Sequence, residues 1–267
     1  MPLNAVILSA GRGSRMGART ADRPKCLMEI GGARLLDRQV AALRAASVHD
    51  IAVVTGWQAQ AFDGRGLTLF HNARWSTSDM TDSLACAEDW LCEGPTIVCY
   101  GDIVFTPATV NALVSQPGDI VLAYDPHWST MWSQRFADPL EDAETFRLRE
   151  DATVSDIGGQ PVTVGEVQGQ YMGLFKTEPA GWRRIQAALR TADSTGSRRD
   201  MTAILAALIT QQHARIPAVA NQGPWYEFDS PTDLEPGTAS LAELDRLLHL
   251  ETHGAHGTSP SPARGRS

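Results

Sequence analysis

Ala5-Val6-Ile7-Leu8-Ser9-Ala10-Gly11-Arg12-Gly13-Ser14-Arg15-Met16-Gly17, running on to Arg23-Pro24-Lys25, is the stretch that decides the reading of this chain. An apolar run breaks into a loop of small residues, and the loop is dense in positive charge. Arg12, Arg15, Arg19, Arg23 and Lys25 stand there against the single acid Asp22, in a chain whose formal net charge is −8. A buried strand that feeds a glycine-rich loop lets backbone N–H groups approach an anion closely. The cations then neutralise it.

The loop is not a Walker sequence, because no Gly-Lys-Ser/Thr follows. The dinucleotide fingerprint fails too. Met16-Gly17 stands where the third glycine belongs at 16, and the second strand, Ile51-Ala52-Val53-Val54-Thr55, ends without a ribose-binding acid. A bound nucleoside triphosphate is the first functional expectation; a solvated basic turn is the bland one.

With 267 residues, 43% of them hydrophobic and 20% charged, the chain fits one ordinary globular domain, with or without an insertion. A chain of that length buries about 75% of its unfolded surface and needs no staples. Cys26, Cys86, Cys92 and Cys99 form no CxxC pair and have no histidines at zinc spacing, so free thiols in a reducing cytoplasm are expected. Neither a leader nor an apolar run of membrane length is present, which points to a cytoplasmic protein without a membrane partner. A pI near 5.3 argues against nucleic acid.

Outward from the loop the pattern alternates. Strands are expected at 4–9, 50–55, 67–70, 96–100, 119–124 and 169–176, and helices at 35–46, from Thr81 to about Leu91, from Pro107, and over 178–190 and 200–212. This rhythm predicts an α/β fold, a Rossmann-like mostly parallel sheet flanked by helices. It fails between about 125 and 165, where a small insertion with short antiparallel strands around 144–158 is expected. Trp225–Asp229 reads as a last strand, and Ser230-Pro231-Thr232-Asp233 opens a final helix to about Leu250. Residues 1–251 thus read as a single domain and 252–267 as a disordered tail.

Ligands of open α/β sheets lie beyond the carboxyl ends of strands. The basic loop, Asp102 and Asp229 fall there. Two carboxylates at neighbouring strand ends suit Mg²⁺, which takes oxygen ligands together with phosphate oxygens. Taken singly, either acid serves as well as a helix cap, Asp229 for the final helix.

Leu8-Ser9-Ala10-Gly11-Arg12-Gly13-Ser14-Arg15-Met16 with Arg23-Pro24-Lys25 resembles the signature of the nucleotidyltransferases that join a nucleoside triphosphate to a phosphorylated small molecule. A closer resemblance, to the small cytidylyltransferases of phosphocholine and of phosphonates, rests on five further segments. They are Met80-x-x-Ser83-Leu84, Tyr100-Gly101-Asp102-Ile103, Asp125-x-x-Trp128-x-x-x-Trp132-x-x-Arg135, Asp138-Pro139-Leu140-Glu141-Asp142-Ala143-Glu144 and Gly169-Gln170-Tyr171-Met172-Gly173-Leu174. They follow in the family's order between residue 3 and about 233.

The resemblance implies that Ala10, Gly11, Arg12 and Gly13 cradle the triphosphate, with Arg15 and Lys25 on its charged oxygens as catalytic groups. It implies Asp102 and Asp229 as magnesium ligands after Gly101, and Asp79 to Ser83 with Ala10-Gly11 around the cytosine. Asp79 departs from the family's asparagine; a carboxylate only accepts, which suits the exocyclic amine of cytosine.

The expected reaction is attack of a phosphoryl or phosphonyl oxygen on the α-phosphorus of CTP, expelling pyrophosphate. The acceptor is a small phosphonate, such as phosphonoformate or 2-aminoethylphosphonate, or phosphocholine. A nucleotide-binding regulator without turnover is the reading from another class. The insertion is expected to bind the acceptor, with Trp128 and Trp132 beside Asp125 and Glu144 as a box for a quaternary ammonium, or with Arg135 and Arg147 as a clasp for a carboxylate or phosphonate. Tyr171 joins the pocket wall. Core packing of the tryptophans is the plain alternative. A homodimer is compatible with all of this.

Overall fold

The computed structural model describes residues 2–250. In chain order the elements are β1 (Asn4–Ser9), β2 (Glu29–Ile30), β3 (Ala33–Arg34), α1 (Leu35–Ala45), β4 (Asp50–Thr55), β5 (Thr68–His71), α2 (Met80–Ala85), α3 (Glu88–Glu93), β6 (Thr96–Tyr100), β7 (Ile103–Val104), α4 (Pro107–Ser115), β8 (Ile120–Asp125), α5 (Trp128–Arg135), β9 (Phe146–Leu148), β10 (Val154–Ile157), β11 (Gln170–Thr177), α6 (Pro179–Thr195), α7 (Met201–Gln211), β12 (Ala218–Ala220), β13 (Tyr226–Glu227) and α8 (Leu234–Leu247). The tail expected at 252–267 lies outside the described residues.

Seven strands form one sheet in the order β12-β8-β11-β6-β1-β4-β5. The pairings β1–β4, β1–β6, β4–β5 and β12–β8 are parallel, and β11 runs antiparallel between β6 and β8. The expected α/β, mostly parallel sheet is therefore the observed one.

Every residue of β1 is buried, because the sheet has a core on each face. Ala5 and Ile7 point into one core with Leu35, Leu36 and Leu43 of α1, Val110 and Leu113 of α4, and Leu241 and Leu244 of α8. Val6 and Leu8 point into the other with Trp182, Ile185 and Leu189 of α6 and Leu205 and Leu208 of α7. Successive strand residues face opposite sides, so a strand covered on both sides reads as a continuous apolar run.

Two expectations shift. The helix expected from Thr81 to about Leu91 is two short helices. Cys86 and Ala87 donate their N–H groups three residues back, to Ser83 and Leu84, and Ala87 leaves helical dihedrals (φ −99°, ψ 22°). Leu84, Ala87 and Leu91 all reach one core. The strand expected at 225–229 shortens to Tyr226–Glu227, which pairs antiparallel with β7 outside the main sheet.

Ser230 does open the C-terminal segment, in a capping box with Asp233, but a 3₁₀ turn (Pro231–Asp233) precedes α8. The carboxylate of Asp229 is therefore not a helix cap. Between β8 and β11 the chain leaves the main sheet for α5 and the antiparallel pair β9–β10. Arg38 of α1 and Asp245 of α8, both buried, join at 2.6 Å and clamp the last helix to the first. All four cysteines are free.

Candidate active site

The loop after β1 owes its shape to two contacts that a side chain would block. Gly13 sits in the left-handed region (φ 66°), and a Cβ there would lie 3.0 Å from Cβ and Cε of Lys25. Gly101, just beyond β6, donates its N–H to the Leu8 carbonyl at 2.9 Å, and a Cβ would come within 2.7 Å of that oxygen. The two strand ends thus lie side by side, with the Lys25 stem across the loop.

Lys25 follows Pro24 in a short 3₁₀ turn and is 12% exposed at its side chain. Its Nζ donates to Asp102 Oδ2 at 3.0 Å and to Asp229 Oδ1 at 2.9 Å. Burial works against the charge, but the two carboxylates outweigh it and raise the Lys25 pKa. The other oxygen of Asp229 pairs with Arg15, whose side chain is otherwise 72% exposed.

The two acids, far apart in sequence, are brought together by the β7–β13 ribbon. Glu227 pairs with Ile103, and the Phe228 N–H donates to the Asp102 carbonyl at 2.9 Å. Asp233 then fixes the loop that carries Asp229, accepting the N–H groups of Asp229 and Ser230 at 2.8 and 2.7 Å.

Do these residues fit a divalent cation? Asp102 Oδ1 is buried and has no hydrogen-bond partner, an arrangement that a bound cation or its water would satisfy. Magnesium is commonly held by one or two carboxylates, its other positions going to water and substrate phosphates. The donor set fits that pattern. Among the described residues no three His, Cys, Asp or Glu side chains gather into a self-sufficient metal cluster.

A cavity of about 140 Å³ opens at this point, lined by Leu8, Ser9, Gly11, Gly13, Lys25, Met80, Tyr100, Gly101 and Asp102. Arg12 stands apart from it, its guanidinium 5.2 Å over the Trp57 ring. Ala10 is buried, with its carbonyl accepting the Trp57 N–H at 2.8 Å. Neither lines the cavity, nor do Asp79 and Ser83. Asp79 caps α2, accepting from the Asp82 N–H at 3.0 Å and the Thr81 hydroxyl at 2.6 Å. Ser83 is buried against Asn72 Nδ2 at 3.0 Å. The element reaches the cavity through Met80 alone.

A second cavity of about 360 Å³ adjoins the first at Met80 and Tyr100. Its lining includes Arg15, Trp132, Glu144 and Tyr171, all singled out from sequence, and Asp229. It also includes Asp142, Gln170, Arg198, Asp200, Thr202 and Glu227, which sequence reasoning had not assigned to a site. The charged Arg198-Arg199-Asp200 run ahead of an apolar helix was the available signal.

Three expected pocket residues do not line this cavity. Asp125 is buried and accepts from Trp225 Nε1 at 2.9 Å and the His127 N–H at 2.8 Å. Trp128 is buried and donates to the Val167 carbonyl at 3.1 Å. Arg135 is spent on two acids, its Nε on Asp233 Oδ1 and its Nη1 on Glu227 Oε2, each at 2.8 Å. Helix α5 turns only Trp132 to the cavity and uses its other anchors inward. Arg147 pairs with Glu166 at 3.8 Å, also away from the cavity.

The pocket is acid-rich. Burial pushes the carboxyl groups of Asp142 and Glu144 above their usual range, and burial with the nearby Asp102 charge pushes Glu227 up to about 7. Burial also raises the Tyr100 and Tyr171 hydroxyls, whose rings meet edge-on at 6.0 Å.

Residues 5–216 match the MobA-like NTP transferase domain. The matched span contains the loop, Lys25 and Asp102 and ends before Asp229. The chain is 31% identical over 252 residues to the CTP:phosphoglutamine cytidylyltransferase of Campylobacter jejuni, covering 87% of this chain and 98% of that one. It is 32% identical over 108 residues to the 2-aminoethylphosphonate cytidylyltransferase of Lancefieldella rimae, covering 39% and 44% of the two chains. The fold matches the CTP:phosphocholine cytidylyltransferase of Streptococcus pneumoniae with a TM-score of 0.68 at 18% identity, over 90% of this chain and 100% of that one. The chain belongs to the MobA-like NTP transferases and is a nucleotidyltransferase.

Proposed function

We propose that the protein transfers CMP from CTP to a small phosphorylated or phosphonate acceptor and releases pyrophosphate, with Mg²⁺ as the metal. The observation that carries this reading is Lys25 bridging Asp102 and Asp229 beside the Gly11–Gly13 loop. The nucleotide lies over the small cavity and extends into the larger one beyond Met80, where Arg15 and Asp229 stand, and the rest of the larger cavity takes the acceptor. Residues 1–251 serve as one catalytic domain in this account, and the excursion at about 125–165 sets the acceptor.

The nucleophile is a phosphoryl or phosphonyl oxygen of the acceptor, already anionic near neutral pH, so no dedicated general base is needed. It attacks the α-phosphorus, and the bond to the pyrophosphate oxygen breaks. Lys25 and Arg15 neutralise charge on the phosphate oxygens, and the loop N–H groups position them. Magnesium held by Asp102 and Asp229 would supply further charge neutralisation on those oxygens.

Asp142, Glu144 and Asp200, with the aromatic faces of Trp132 and Tyr171, favour an acceptor that carries an ammonium group. That supports 2-aminoethylphosphonate or phosphocholine over phosphonoformate. Pyrophosphate release from CTP with Mg²⁺, scored over phosphoglutamine, 2-aminoethylphosphonate, phosphocholine and phosphonoformate, tests the reading. Release only with ammonium-bearing acceptors is expected. CTP binding without release on any acceptor would favour a nucleotide-binding regulator.

A further inference from the structure

The turn between α6 and α7 carries a residue that the reaction scheme above does not use. Arg199 Nη2 donates to Asp82 Oδ1 at 2.7 Å, and its Nε, which makes no hydrogen bond, lies 3.1 Å from Asp79 Oδ2 as an ion pair. Its Nη1 pairs with Asp193 near the end of α6. The Thr81 hydroxyl, which donates to Asp79 at 2.6 Å, lies 3.1 Å from the Arg199 backbone carbonyl. One arginine thus ties the first turn of α2, on which Met80 faces both cavities, to the turn that carries Arg198 and Asp200 into the larger cavity.

The link continues into the pocket. Asp200 caps α7 through the Ala203 N–H at 3.0 Å, and Thr202, next on that helix, donates to Glu144 Oε1 at 3.2 Å. A planar fork with fixed donors can span two carboxylates at once, which an ammonium on a flexible stem does not do.

We propose that Arg199 is a positioning residue that holds the wall of the nucleotide cavity and the wall of the acceptor cavity in one register. This rests on the assignment of the two cavities under Proposed function. Arg199 touches neither substrate; it acts through Asp79, Asp82 and the Asp200 cap. Loss of the fork frees both walls together, so binding of nucleotide and of acceptor weakens in step.

Hydrogen exchange on the full chain gives the first test. In Arg199→Ala, amides of Met80–Ala85 and of the first turn of α7 are expected to exchange about tenfold faster, the scale of one lost charge-assisted hydrogen bond, with β1 and β6 unchanged. Faster exchange in only one of the two segments, or in neither, overturns the proposal. Arg199→Lys guards against a merely unfolded variant: it is expected to melt near the wild type yet show the same paired loosening, and full rescue by lysine overturns the role of the fork.

The second test is CTP binding with Mg²⁺ by calorimetry and the KM for 2-aminoethylphosphonate or phosphocholine. Both are expected to rise about tenfold in both variants, with kcat changed less. A rise in only one of the two contradicts the coupling. If the wild type binds no CTP, the nucleotide reading falls while the exchange pattern still decides whether Arg199 links the two walls.

Discussion

Arg135 offers a sharp test, because sequence and structure give it different work. As an acceptor ligand it would face the pocket. In the structure its guanidinium is 1% exposed and joined to Asp233, itself 1% exposed, and to Glu227. Replacing Arg135 with Met leaves the Asp233 carboxylate buried without its cation. Breaking a buried pair from one side costs about 3–5 kcal/mol. For a chain of this size each kcal/mol lowers Tm by about 2–4 °C, so a fall of roughly 6–20 °C is expected in thermal unfolding followed by circular dichroism. Asp233 also holds the N–H groups of Asp229 and Ser230. Turnover at saturating acceptor should therefore fall too, measured by pyrophosphate release below the new melting point. A Tm within about 2 °C of wild type, with only the acceptor KM raised, would refute the anchoring role and restore the direct one.

Lys25→Ala is expected to lower turnover by roughly 10²–10³, the scale of one preorganised charge stabiliser, while circular dichroism stays unchanged; near-full pyrophosphate release would remove Lys25 from the chemistry. Asp245→Ala, which orphans buried Arg38, is expected to cost about 3–5 kcal/mol in urea unfolding, without changing KM in the folded fraction. Glu227 gives a pH signature. Its folded pKa, about 7, lies above the ordinary 4.5, so the stability contributed by its proton is present below about pH 4.5 and is lost as pH rises through 7. Glu227→Gln should thus be more stable than wild type at pH 8 and equal to it below pH 4.5; a constant difference across that range would contradict the shift.

Much of the sheet was legible because β1, β4 and β6 are short apolar runs bounded by glycine or charge, and α1 has apolar residues at helical spacing. The proximity of Asp102 and Asp229 was legible from where strands end, and Lys25 from the likeness of Arg23-Pro24-Lys25 to the family signature. The second cavity was legible in part, through Arg15, Trp132, Glu144 and Tyr171; the wall from the start of α7 was not, because the charged Arg198-Arg199-Asp200 run marks a helix start without saying what that end faces. Asp125, Trp128 and Arg135 misled for the opposite reason. Acids, tryptophans and arginines are the residues of a binding pocket and equally those of a polar core under a short helix, and α5 turns them inward. Asp79 shows the same ambiguity, its carboxylate being engaged by the helix it caps and by Arg199.

Anomalous diffraction from Mn²⁺ bound together with a non-hydrolysable CTP analogue tests the central claim most directly. The metal peak is expected at coordination distance, roughly 2.0–2.1 Å for the magnesium it replaces, from a carboxylate oxygen of Asp102, with Asp229 sharing the ion and the phosphates lying between Gly11–Gly13 and Lys25. A metal bound away from both carboxylates, or a triphosphate that leaves the Lys25 bridge untouched, would contradict it.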